Sequence, residues 1–127
     1  MNTERENSGQ TPERGAPSVI NLADPARGED ANEFQGYHHD ASVSFIVVEA
    51  PSRGGPKLHR HPYEEVFVVQ EGSATFTAGE ETIEVSGGQV VVVPAGMAHK
   101  FVNSGDGRLR QVDIHASDRF VTEWLED

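Results

Sequence analysis

The sequence predicts an all-β sandwich or barrel. Three observations point there. Short runs rich in β-branched and aromatic residues follow one another, Gly- and Pro-containing turns separate them at intervals of ~8–12 residues, and runs such as 73–78 alternate in polarity. The length, 127 residues, suits one domain with one core.

Residues 1–18 carry Gly, Ser, Pro, Gln and charges without an apolar period, and are expected to form a disordered tail. The single domain is expected over 19–127. Residues 19–22 form a short apolar segment that suits a strand, and 24–40 is polar, with Phe34 and Tyr37 as anchors. Strands are expected at 42–50, 65–69, 73–78, 81–85, 89–93, 99–103 and 108–115. The turns between them carry Gly54-Gly55, Glu71-Gly72, Gly79-Glu80, Gly87-Gly88, Pro94-Ala95-Gly96 and Gly105-Asp106-Gly107. The end of the chain changes period. Ser117 suits an N-cap with Asp118 in the first turn, and Phe120, Val121, Trp124 and Leu125 make one apolar helical stripe. A short C-terminal α-helix packed on the barrel is therefore expected.

Composition narrows the function. A net charge of −11 repels nucleic-acid phosphates and disfavours an anionic membrane surface. No apolar run approaches the ~20 residues that span a bilayer; residues 90–93 read as a buried strand. Glu4, Arg5 and Glu6 stand where a secretory signal needs an apolar stretch, so a cytoplasmic location is expected. The chain has no cysteine, so a bound metal must use imidazole and carboxylate.

The chemistry gathers around His59-Arg60-His61. On a strand, residues two apart share a face, with Cα atoms ~6.5 Å apart. Two imidazoles can then converge on one ion while Arg60 points away. Glu65 lies at an even offset from His61 and can share that face, and His99 arrives from a later strand. His38, His39 and His115 read as ordinary structural or surface residues. Phe67, Val69 and Phe101 fall on the same parity and fit either pocket wall or core. On the last strand Gln111, Asp113 and His115 share one face and Val112 and Ile114 the other; parity alone does not say which looks inward.

His59-x-His61-x-x-x-Glu65-x-x-x-x-x-x-Gly72 resembles the first motif of the cupin superfamily, and Gly88-x-x-x-x-x-Pro94-x-Gly96-x-x-His99-x-x-x-Asn103 resembles the second at every defined position. The core motifs occupy 54–103, and the short interval 73–87 between them is similar to that of small single-domain cupins. There is one departure: the glycine that usually opens the first motif is Arg53 here, followed by Gly54 and Gly55.

The resemblance implies an all-β double-stranded β-helix, or jelly roll, with both motifs lining its inside. It also implies His59, His61, Glu65 and His99 as metal ligands. Three imidazoles and a carboxylate suit one divalent transition metal (Mn, Fe, Ni, Co, Cu or Zn) better than Ca or Mg, and leave positions open for a small-molecule substrate. The expected function is a metal-dependent enzyme of dioxygenase, isomerase, lyase or decarboxylase type. The alternative is a non-catalytic small-molecule-binding or sensing domain. The resemblance also implies a homodimer.

Overall fold

The computed structural model describes residues 15–22 and 32–127. Within them, ten strands form two antiparallel sheets. The strands are β1 (Glu33–Gln35), β2 (Ser44–Ala50), β3 (His59–Arg60), β4 (Glu65–Glu71), β5 (Ser73–Ala78), β6 (Glu81–Ser86), β7 (Val90–Val93), β8 (His99–Asn103), β9 (Leu109–His115) and β10 (Glu123–Trp124). One sheet runs β1-β2-β9-β4-β7 and the other β10-β3-β8-β5-β6. The all-β expectation holds, and the longer strands fall where the polarity pattern put them.

The inward faces divide along the barrel. At one end Phe67, Val69, Phe76, Val93, Phe101 and Leu109 interlock in a buried core. Phe76 meets Phe67 edge-on at 4.9 Å between ring centres, a favourable aromatic geometry. At the other end the inward positions are polar: His59, His61, Glu65, His99, Asp113 and His115 are all buried. The β9 ambiguity is thereby resolved, since Gln111, Asp113 and His115 point inward.

Turn chemistry sets the register. Gly72 has φ +94°, and a Cβ there would meet the Arg108 carbonyl oxygen at 2.6 Å, so only glycine fits. Arg53, which replaces the usual motif glycine, takes φ +71°, the left-handed region that glycine favours. The departure in sequence is thus not a departure in backbone. Asn103 ties the strand ends, its Nδ2 donating to the carbonyls of Ala50 (3.0 Å) and Gly107 (2.8 Å).

Two expectations are corrected. The C-terminal helix does not form. Residues 117–122 run without regular structure, and β10 pairs antiparallel with β3, Trp124 opposite His59 and Glu123 opposite Arg60. The reason is the unpaired edge of β3. Leu125 N–H donates to the Leu58 carbonyl at 2.9 Å, Leu58 N–H donates to Glu126 Oε1 at 2.9 Å, and Arg60 pairs with Glu123. An isolated helix this short has little to set against those partners. The segment 15–22 forms no strand, and Val19 is 95% exposed. The rest of the expected tail, 1–14, lies outside the described residues. Phe34 does anchor its region, stacked on Phe45 at 4.9 Å. No helix among the described residues is long and apolar enough to cross a membrane.

Candidate metal centre

His59 comes from β3, His61 from the bend after it, Glu65 from the start of β4 and His99 from the start of β8. His59 and His99 are direct cross-strand partners, and Ala78 of β5 holds His99 from the other side. The four side chains are buried, and one ligand atom from each lies within 4.8 Å of all the others.

The outer nitrogens explain the aim of the inner ones. Nδ1–H of His59 donates to the Lys57 carbonyl (2.7 Å), that of His99 to the Met97 carbonyl (2.9 Å), and that of His61 to the Val121 carbonyl (2.9 Å). Each bond turns Nε2 toward the centre, the arrangement ligating histidines need; His99 Nε2 there hydrogen-bonds Glu65 Oε1 at 3.1 Å and offers its lone pair once that proton leaves. His61 Nε2 sits 3.1 Å from Glu65 Oε1, yet is buried without a hydrogen-bond partner among the described residues. A buried acceptor left this way is unfavourable in a protein interior, and a metal ion satisfies it. The donor set therefore fits a divalent metal.

Electrostatics favours a cation as well. Burial alone would raise the Glu65 carboxyl, but the imidazoles of His115, His61 and His99 outweigh it and hold Glu65 far below the usual carboxylate range. Burial lowers His59, more than its bond to the Lys57 carbonyl raises it. His99 moves the other way: burial pushes it down, but Glu65 and the Met97 carbonyl raise it above its ordinary value.

A pH dependence follows. Glu65, with its depressed pKa, stays ionised throughout the neutral and mildly acidic range. His99, with its raised pKa, holds a proton in the metal-free protein at a pH where free imidazole has begun to lose it, so metal must displace that proton. Binding releases protons, and metal affinity falls as pH drops from 7 to 5, by about tenfold or more. Calorimetric titration at several pH values checks this; a flat affinity would show that imidazoles do not dominate the coordination.

Sequence reasoning missed two parts of the surroundings. His115, read as an ordinary residue, places Nε2 3.1 Å from Glu65 Oε2. Tyr63 joins it to the ligands, its hydroxyl 2.7 Å from His115 Nδ1 and 3.3 Å from His61 Nδ1. The other is the C-terminal strand, which brings Trp124 to 5.0 Å from the His59 ring and supplies the Val121 carbonyl to His61. The polar alternation of β9 was the only signal for His115, and it had two readings. Of the proposed pocket walls, Phe67 and Phe101 line a cavity of about 440 Å³ beside the cluster, and Val69 packs in the core.

The Cupin domain family matches residues 36–115. The chain belongs to the cupin family. This cupin is 43% identical over 60 residues to an uncharacterized protein of Streptomyces coelicolor, a match that covers 47% of the chain and 55% of that protein. Among solved structures, it resembles the oxalate decarboxylase of Lactobacillus farciminis in a formate complex, with TM-score 0.68 and 23% identity over 73% of this chain and 30% of that one. A Bacillus subtilis oxalate decarboxylase with Mn(II) centres gives TM-score 0.68 and 23% identity, over 73% and 27%. An oxalate oxidase in complex with the substrate analogue glycolate gives 0.66 and 20%, over 74% and 53%. The shared property is the jelly-roll fold. The cupin spans about half the length of the curated relative it matches, and less than a third of either decarboxylase chain.

Proposed function

We propose that His59, His61, Glu65 and His99 hold one divalent transition metal, and that this metal is the working centre of an enzyme acting on a small organic molecule. The observation that carries the reading is the set of three imidazoles, each pinned through Nδ1 to a backbone carbonyl, with Nε2 and the ionised Glu65 converging at the wall of a cavity. Mn is the first metal to try, because one structural relative is described with Mn(II) centres; Fe, Co, Ni, Cu and Zn suit the same donors. A bound ion would supply Lewis acidity toward a substrate oxygen. The protein's part is to fix the donors, keep Glu65 ionised and surround the ion with a mostly apolar wall.

Turnover is tested by incubating metal-loaded protein with a mixture of small metabolites and following each by mass spectrometry. An enzyme consumes one component well beyond the protein's own amount, and His61→Ala does not. A component retained but unchanged would instead support a binding or sensing domain. The domain assignment 19–127 and a cytoplasmic location remain part of this proposal; the single buried core supports the first.

A homodimer belongs to the same reading. On the outward face of the first sheet, Phe45, Ile114, Val66 and Val92 form one unbroken row across β2, β9, β4 and β7. Val47, Val112, Val68 and Val90 form the next. Val90 and Val92 are 57% and 63% exposed. Two complete apolar rows on a sheet surface call for a cover. A second copy offers the same uncharged face about a two-fold axis, whereas the acidic remainder of the chain repels it. Light scattering at micromolar concentration is expected to give twice the chain mass of 13.8 kDa, and Val66→Glu with Val92→Glu the single mass. A monomeric wild type would remove the dimer from the account.

A further inference from the structure

The cavity beside the cluster is unlike a site for a small dianion. Its wall is mainly Ile46, Val48, Phe67, Phe101, Phe120 and Trp124, and no lysine or arginine lines it among the described residues. The ionisable groups it does contain, apart from the histidines, are carboxyls: Glu65, Asp113 and, among the other lining residues, Glu33. A molecule with two carboxylates would lose its hydration there and meet no cation beyond a bound metal ion, so a second carboxylate would lie uncompensated against the apolar wall.

Asp113, like Glu33, His115 and Thr122, is a polar group in this wall that the ligand set does not use. It sits on β9 opposite Phe67, one pleat along the strand from His115 and Glu65. It is buried, and Gln111 Nε2 donates to its Oδ1 at 2.8 Å. Burial, reinforced by the Glu65 charge and only partly offset by the Gln111 bond, pushes its carboxyl well above the usual carboxylate range. Gln111 fixes one oxygen of a carboxyl that lines the cavity, so the side chain is held in place to hydrogen-bond a ligand there.

Resting on the metal reading above, we infer that the site takes a largely apolar, at most singly charged organic molecule, and that Asp113 sets its orientation by hydrogen-bonding an oxygen of the metal-bound group. The apolar body lies against the aromatic wall, where each buried methylene adds to affinity. Asp113 is then a specificity-determining residue. The substrate class separates this chain from its structural relatives named for oxalate, whose fold it shares.

The test uses the Mn(II)-loaded full chain and three chelators: benzohydroxamate, acetohydroxamate and oxalate. Binding of each is measured by calorimetry and divided by its affinity for free Mn(II). Metal content is measured in every sample. The first two probes share a chelating group and differ in the apolar body, so wild type is expected to prefer benzohydroxamate by about tenfold or more. Oxalate is expected to rank below both. Asp113→Leu is expected to weaken benzohydroxamate about tenfold, whereas Asp113→Asn, which keeps a neutral donor, stays within about threefold of wild type. An oxalate preference, an equal response to the two hydroxamates, or no response to Asp113→Leu at full metal content overturns the inference. Protein that binds no Mn(II) at all defeats the metal reading instead. The chelator ranking needs only wild type, so it stands even where a variant folds poorly.

Discussion

His61→Ala is expected to lower metal affinity by at least ~100-fold and leave the barrel folded. His61 is held on both sides. Its Nδ1 is fixed by the Val121 carbonyl, and its Nε2 lies 3.1 Å from Glu65 with no hydrogen-bond partner among the described residues. Changes to groups that merely orient ligands lower metal affinity ~10–100-fold, so removing a ligand does more. The barrel survives because its apolar core lies at the other end, around Phe67, Phe76 and Leu109. Glu65 also keeps its contacts to His99 and His115 at 3.1 Å, so its charge is not left alone. Metal competition with a coloured chelator reads the affinity, and circular dichroism reads the fold. Unchanged affinity in a folded variant would take His61 out of the site.

Phe76→Ala should do the reverse, unfolding the barrel more readily while leaving the ligands chemically complete. Phe76 is 0% exposed and touches Phe67 and Phe101 at ring distances of 4.9 and 5.4 Å. Truncating a fully buried phenylalanine costs ~3–5 kcal/mol, through lost transfer energy and the cavity left behind. That is a large share of a small domain's stability. Urea unfolding of metal-free protein measures it. Phe67 walls the cavity, so looser packing behind it is expected to weaken ligand binding secondarily. A loss under ~1 kcal/mol would mean that this end of the barrel repacks freely.

Much of this was legible in the residues. Strand β5 follows from alternation, with one face in the core and one outside, and β4, β6 and β8 from β-branched and aromatic runs bounded by turns. The convergence of His59, His61, Glu65 and His99 was legible from spacing and motif, because residues of one parity on neighbouring strands share a face. What was not legible depends on partners distant in sequence. β3 and β10 are two residues each and exist through their pairing, β3 between β8 and β10 and β10 on the edge of β3. The spacing of Phe120, Val121, Trp124 and Leu125 fits a helix, yet Trp124 lies 60% exposed against His59 and the backbone goes to β3. β9 inverts the usual polarity of a barrel strand: its polar face looks inward, because Glu65 and the pocket require it, and its Val112 and Ile114 lie in the outward apolar rows. Nothing local distinguishes that from the ordinary arrangement, which is why His115 and Asp113 emerged only with the fold.

Elemental analysis of the full chain purified without chelator, with His61→Ala prepared in parallel, decides whether the four converging side chains hold one metal ion. About one divalent transition-metal ion per wild-type chain is expected, and a small fraction of that in the variant. Metal-free wild type that also fails to take up added Mn, Fe, Co, Ni, Cu or Zn would contradict it.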